Sequence, residues 1–239
     1  MHGTSSWREG TPIARMLKGP LSPLRPVLRP IYRRWIDAND KVPKTPDMVL
    51  SRLDLADRPV RPILRSEFDE MVAGDPYYRG RWGYTSVALV EAARLMVRDD
   101  LRTALEVGAP VKPILTGAHV MDYRLRDELD PSVEVTVHDA TKVPWPFKDK
   151  AFGLFIALQV FEHLGKRQAE AFREVRRVAR HAIISLPIDW DMGDPKNIHH
   201  MISQEKVLSW FAPVVPTRIV EGNGGPKKRI IYVFEDLAP

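Results

Sequence analysis

Hydrophobic positions in the second half of the chain fall into short runs separated by turn residues. Thr103–Val107, His119–Asp122, Val133–Val137, Ala151–Leu158 and His181–Leu186 are rich in β-branched and aliphatic side chains. Val133, Val135 and Val137 alternate with polar residues, as a half-covered strand does, whereas Ala151–Leu158 is almost continuously apolar, as a strand buried on both faces is. Helical spacing appears in Thr85–Val97, where Leu89, Val90, Ala93, Met96 and Val97 share a side. It recurs in Arg167–Val178, with Ala171, Phe172, Val175 and Val178 inward and Glu170, Arg173, Glu174 and Arg177 outward. Shorter helices are expected over Ser66–Ala73 and after Ser203, whose hydroxyl suits an N-cap. Arg218–Glu221, a Gly-rich turn and Arg229–Phe234 read as a hairpin. Together these elements predict an α/β, Rossmann-like doubly wound sheet, mostly parallel, closed by a C-terminal antiparallel hairpin.

The first part of the chain lacks this pattern. Residues 1–64 are dense in proline and arginine, which favours extended segments and allows only short helices, such as Pro30–Ala38 and Pro46–Leu55. We read 1–64 as an N-terminal arm, partly disordered or used for packing or homodimerisation, and 65–239 as the main domain, with a helical and aromatic cap at 65–100.

Composition adds limits rather than a function. The 239 residues, 44% hydrophobic and 28% charged, suit one ordinary globular domain with an extension. The absence of cysteine excludes disulfides and thiolate metal sites. No apolar run approaches the roughly 20 residues of a membrane helix. With no signal-peptide pattern at the start, a cytoplasmic location is expected. The net charge of +5 comes largely from the arm and from Lys227–Arg229. Aromatic residues are not interleaved with these charges, so a nucleic-acid platform is not expected.

Parallel sheets bind ligands at the carboxyl ends of their strands, so the residues there carry the candidate chemistry. They are Leu105-Glu106-Val107-Gly108, Asp122, Asp139-Ala140, Leu158-Gln159 and Phe161-Glu162-His163-Leu164, with Pro144-Trp145-Pro146-Phe147 before the fourth run. In order and spacing this series resembles the class I S-adenosylmethionine-dependent methyltransferases, in particular a small bacterial branch, over roughly the second half of the chain. The resemblance implies S-adenosylmethionine as cofactor. It implies that Asp122 receives the ribose hydroxyls, that Asp139 and the Ala140 amide meet the adenine, and that Glu106 and Gly108 adjoin the methionine part. Leu158 and Gln159 would approach the sulfonium. The turn after Gly108 keeps one glycine where relatives carry two or three, and Pro113 and Gly117 leave little room for the usual helix between the first two strands.

Gly74–Tyr84 is a loop packed with aromatics and arginines, and such side chains must cover something. One reading is a lid on the protein's own core. The other is a cap over a substrate, with Tyr78, Arg81, Trp82 and Tyr84 as binding residues. His199 and His200 lie in the long loop after the fifth strand, where the resembled family builds acceptor pockets. Either is a candidate base, because an imidazole titrates near neutral pH. A single Glu162-His163 pair offers too few convergent ligands, so no metal is expected. The expected function is methylation of a small-molecule or glycan acceptor, on oxygen or nitrogen. The thinned glycine turn motivates a second reading, a methyltransferase-like binding or assembly protein with reduced catalysis. The basic arm motivates a third, an RNA methyltransferase.

Overall fold

The structure is a computed structural model, described here for residues 46–50, 53, 55, 57–73, 78, 80–109, 112–125, 130–222 and 228–238. The predicted helix at Pro30–Ala38, the first part of the arm and Arg79 lie outside these residues. In chain order the elements are α1 (Pro46–Leu50), β1 (Arg61–Pro62), α2 (Arg65–Met71), α3 (Trp82–Asp99), β2 (Ala104–Val107), β3 (Leu115–Thr116), β4 (His119–Asp122), β5 (Val135–Val137) and β6 (Phe152–Leu158). After a 3₁₀ turn at Phe161–His163 come α4 (Gln168–Val178), β7 (Ala179–Pro187), α5 (Gln204–Phe211), β8 (Arg218–Gly222) and β9 (Arg229–Phe234).

Seven strands form the main sheet in the order β5-β4-β2-β6-β7-β9-β8. The pairs from β5 through β7 are parallel, and β9 runs antiparallel to both β7 and β8. Chain order reverses between β2 and β6, leaving a crevice at their carboxyl ends. This is the mostly parallel sheet with a terminal antiparallel hairpin that the hydrophobic pattern predicts.

Each face of the sheet carries its own core. On one, Phe172 and Val175 of α4 pack with Phe211 of α5, Phe155 of β6 and Phe234 of β9. On the other, α3 lays Leu89, Ala92, Ala93 and Met96 against Leu154, Ile156, Ile183 and Ile231. Leu50, Leu55, Val60 and Ile63, within the sequence-defined arm, are buried in this second core. The arm's last residues therefore pack as part of the body, and β1 pairs with β3 through Arg61↔Thr116 and Pro62↔Leu115. This small ladder occupies described residues between β2 and β4, where the sequence leaves little room for a helix. Gly117 permits it: its φ is +77°, and an added Cβ would lie 1.9 Å from the Pro59 carbonyl oxygen.

Several boundaries differ from those expected. The helix anticipated from Thr85 begins at Trp82, so the last three residues of the aromatic loop, Trp82–Tyr84, belong to the first turn of α3. Ala179 and Arg180 start β7 directly after α4, with Ala179 already extended as the C-cap. Glu174 and Arg177 do not simply face solvent. Glu174 accepts the Trp145 amide at 2.6 Å, and Arg177 donates to the Trp145 and Phe147 carbonyls at 2.9 and 2.6 Å. This ties the Trp-Pro-Phe loop to α4, while the Trp145 ring stacks on Phe155 at 5.9 Å. No helix among the described residues is long and apolar enough to cross a membrane.

Candidate functional site

A cavity of about 590 Å³ opens where the strand order reverses. Its lining comes from successive strand ends: Val107 and Gly108 after β2, Asp122 and Tyr123 after β4, His138 to Thr141 after β5, and Leu158 to Val160 after β6. Tyr78 and Arg81 close one side, and His163 and Leu164 another. That volume lies in the range of about 300–1,000 Å³ common for small-molecule sites. A larger hollow of about 730 Å³, by Glu67, Lys112 and Asp130, touches the amino ends of β4 and β5 instead, and no residue from the carboxyl end of a main-sheet strand is among its lining.

The cofactor residues expected from sequence fall at this cavity with one exception. Asp122 ends β4, is 6% exposed, and accepts the Arg124 amide at 3.4 Å. Asp139 sits two residues beyond the end of β5. Its carboxylate takes the Thr141 amide and hydroxyl at 2.9 and 2.8 Å, and these bonds hold it below the usual carboxylate range. That turn sets the Ala140 backbone at the cavity wall. Gly108 has φ +78°, and a Cβ there would come within 2.7 Å of Val160 Cγ2. The backbone is thus closely approached at this point. Gln159 occupies the left-handed region at φ +60°, uncommon for a residue with a side chain. Its amide bonds the Ser185 carbonyl at 3.0 Å and its side-chain amide reaches Ser185 Oγ at 3.3 Å. Strain held in this way is a recurrent feature of binding sites.

Glu106 is the exception. Its carboxylate turns to the β2–β3 connection and accepts the amides of Ile114 at 2.9 Å and Leu115 at 3.3 Å. Burial pushes it up to about 8 despite those bonds. It lines only a small hollow next to the main cavity, with Tyr84 and Gly108. Lys112, in the same connection, pairs with Asp130 at 3.2 Å.

The aromatic cap divides. Tyr78 and Arg81 line the cavity, with the Arg81 guanidinium 4.8 Å from the Tyr78 ring centroid. Trp82 is buried against Phe68 and donates Nε1–H to Asp47 at 3.1 Å. Tyr84, 2% exposed, lies under Arg229, whose guanidinium is 4.6 Å from both the Tyr84 and the Trp190 rings. The first two belong to the cavity and the last two to the packing beside it.

Neither His199 nor His200 is among the cavity-lining residues. Asp189 and Met201 amides bond across the base of the long loop to Ile202 and Trp190, closing it on itself. Within it, His200 Nδ1 accepts the Met192 amide at 3.2 Å. His199 stands behind His163, the two rings edge to face at 5.2 Å, with Nδ1 3.7 Å from Glu162 Oε1. The Glu162 side chain is fully shielded from solvent, and among the described residues neither of its oxygens has a hydrogen-bond partner. Burial raises it to about 8, with Arg81 and Arg229 acting against that rise. Burial also lowers His163, and Arg81 adds to the effect. Sequence reasoning placed Glu162 and His163 in the turn after β6 but did not bring His199 to them, since the residues are far apart in the chain. Tyr123, His138, Thr141 and Val160 also line the cavity without having been singled out. Their signal was position alone, immediately after a strand end or beside a named residue.

Residues 115–182 match the family model described as a methyltransferase domain. The match begins at β3 and runs into β7, so it spans most of the strand ends that line the cavity. No curated protein matches the chain. Solved structures similar to it include a SAM dependent methyltransferase from Aquifex aeolicus, 15% identical, covering 71% of this chain and 97% of that one at a TM-score of 0.46. Another is the N-methyltransferase NodS from Bradyrhizobium japonicum in complex with S-adenosyl-L-homocysteine, 14% identical, 72% and 97% covered, TM-score 0.49. A third is geranyl diphosphate C-methyltransferase from Streptomyces coelicolor, 14% identical, 74% and 90% covered, TM-score 0.40. Over residues 115–182, which hold most of the strand ends that build the cavity, the chain is similar to a methyltransferase domain.

Proposed function

We propose that the cavity holds S-adenosylmethionine and that the acceptor is a small molecule or glycan methylated on oxygen or nitrogen. The observation that carries this reading is the convergence of Gly108, Asp122, Asp139–Ala140 and Leu158–Gln159 on one cavity at the reversal of strand order. These residues suit the cofactor. Asp122 offers two carboxylate oxygens to a vicinal diol, Asp139 and the Ala140 backbone flank a place for adenine, and Gly108 leaves its backbone open to close approach. Bound there, the cofactor supplies a sulfonium methyl group open to in-line displacement.

The chain's own contribution is alignment, exclusion of water and management of the acceptor's proton. Tyr78 and Arg81 flank the acceptor side. Opposite them, His163 lines the cavity with Glu162 and His199 behind it, and we assign proton removal to this group. Of the two candidate bases, His199 belongs to it. His200, with Nδ1 taken up by the Met192 amide, serves the loop.

Calorimetry with S-adenosylhomocysteine tests the reading. The wild-type chain should bind in the micromolar range, and Asp122→Ala should weaken binding by about 1–3 kcal/mol through loss of charge-assisted hydrogen bonds. No binding by the folded wild type would favour the catalytically reduced binding or assembly protein, and an unchanged constant in a folded Asp122→Ala would remove the ribose assignment.

A further inference from the structure

Glu162, His163 and His199 each present a ligand-type atom within 4.8 Å of the others. The first two come from the 3₁₀ turn after β6 and the third from the closed loop after β7, so the fold and not a local motif brings them together. From this grouping and the fully shielded carboxylate of Glu162, which has no hydrogen-bond partner among the described residues, we propose that the three residues bind a divalent transition-metal ion of the manganese-to-zinc series at the acceptor side of the cavity. The proposal rests on the methyltransferase reading only for what the ion does, not for its binding.

Three observations carry it. Among the described residues neither buried Glu162 oxygen has a hydrogen-bond partner, whereas a hydrogen bond normally satisfies such a group. The 3.7 Å from His199 Nδ1 to Glu162 Oε1 is too long for a hydrogen bond. It suits two donors sharing one ion, because ligands about 2.1 Å from a metal lie roughly 3–4 Å apart. Two imidazoles and one carboxylate, with no thiolate, form a donor set that leaves coordination positions open, as catalytic sites do. His163 lines the cavity, so open positions on that side are reached from it.

Charge narrows the class of acceptor. Arg81 and Arg229 act electrostatically on Glu162 and oppose a bare cation at this place. The ion is therefore expected to enter together with an anionic or readily ionised oxygen ligand, which selects acceptors bearing a hydroxyl beside a second oxygen donor. An ion so placed lowers the pKa of an acceptor hydroxyl and its proton passes to solvent. The oxygen–methyl bond then forms as the sulfur–methyl bond breaks, and the electron pair stays on sulfur. Ligated in this way, His163 and His199 serve the proton removal assigned to this group through the ion they hold, and not by taking the proton themselves.

The experiment is calorimetric titration of the full chain, stripped with a chelator, with Zn²⁺, together with Co²⁺ absorption in the visible range. One ion per chain should bind with micromolar affinity and give the d–d bands of a nitrogen–oxygen site. Glu162→Gln, His163→Ala and His199→Ala should each weaken binding at least tenfold. His163→Ala alters a solvent-exposed side chain and keeps the test usable if a buried variant fails to fold. Absence of a stoichiometric site, or binding that all folded variants retain, would overturn the proposal. Titration with S-adenosylhomocysteine, with and without Zn²⁺, separates the two readings. Zn²⁺ binding without cofactor binding leaves the metal site standing and removes the methyltransferase reading, and the reverse removes only the metal.

Discussion

Glu106 shows how one side chain can be placed correctly in sequence and serve a different neighbour in space. It lies next to the end of the Leu-Glu-Val-Gly strand as expected, yet its carboxylate holds the Ile114 and Leu115 amides. Burial raises it from an ordinary value of 4.5 to about 8. Because the folded chain binds this proton more tightly than the unfolded one, the associated stability is complete below about 4.5. It is lost as pH rises through about 8. Urea unfolding of the wild type should therefore show a fall in stability between pH 5.5 and 8.5. Glu106→Gln keeps an acceptor for the amides and should lose part of that slope; identical slopes would show that the carboxyl does not titrate in this window. Glu162 is shifted in the same direction, so the comparison of wild type and variant is what isolates Glu106. The strand position of Asp122 was legible because a charge at the end of an apolar run has few other meanings. Which amide a buried carboxylate takes depends on the path of the next loop, and a linear pattern does not carry that path.

Among elements, the strands and the two long helices were readable from hydrophobic period alone, since each buries one face or both. The aromatic loop was not. Trp82 and Tyr84 look like cap residues in a list of types, but α3 begins at Trp82 and its first turn directs both rings into packing. The Gly-rich and Pro-rich stretch beside them hid the helix start, since Arg81 offers no side-chain cap. The 3₁₀ turn bearing Glu162 and His163 depends on packing beneath it. Phe161 meets Phe155 and Phe211, and Phe211 also contacts Phe172, Tyr232 and Phe234. Phe211→Ala removes a fully buried ring and should cost about 3–5 kcal/mol in denaturant unfolding. A loss below about 1 kcal/mol would mean that the surrounding rings close the gap and that α5 does not support the turn.

For the whole molecule, the sheet order fixes where chemistry can occur, and the cavity lining begins at Tyr78 and ends at Leu164. Among the described residues of the proline-rich region, Leu50, Leu55, Val60 and Ile63 contribute to the core. Deletion of residues 1–20 should therefore leave the affinity for S-adenosylhomocysteine unchanged in calorimetry; a large loss would place part of the arm at the site. Sedimentation of the same two chains would test the proposed dimerisation role, with a shift towards monomer expected on deletion. The most direct test of the central claim is a crystal structure of the chain with S-adenosylhomocysteine. The ribose is expected at Asp122, the adenine between Asp139 and Ala140, and the sulfur beside Leu158 and Gln159, facing the side where His163 lies. Ligand density in the other large hollow, by Glu67 and Lys112, or a ribose away from Asp122, would contradict it.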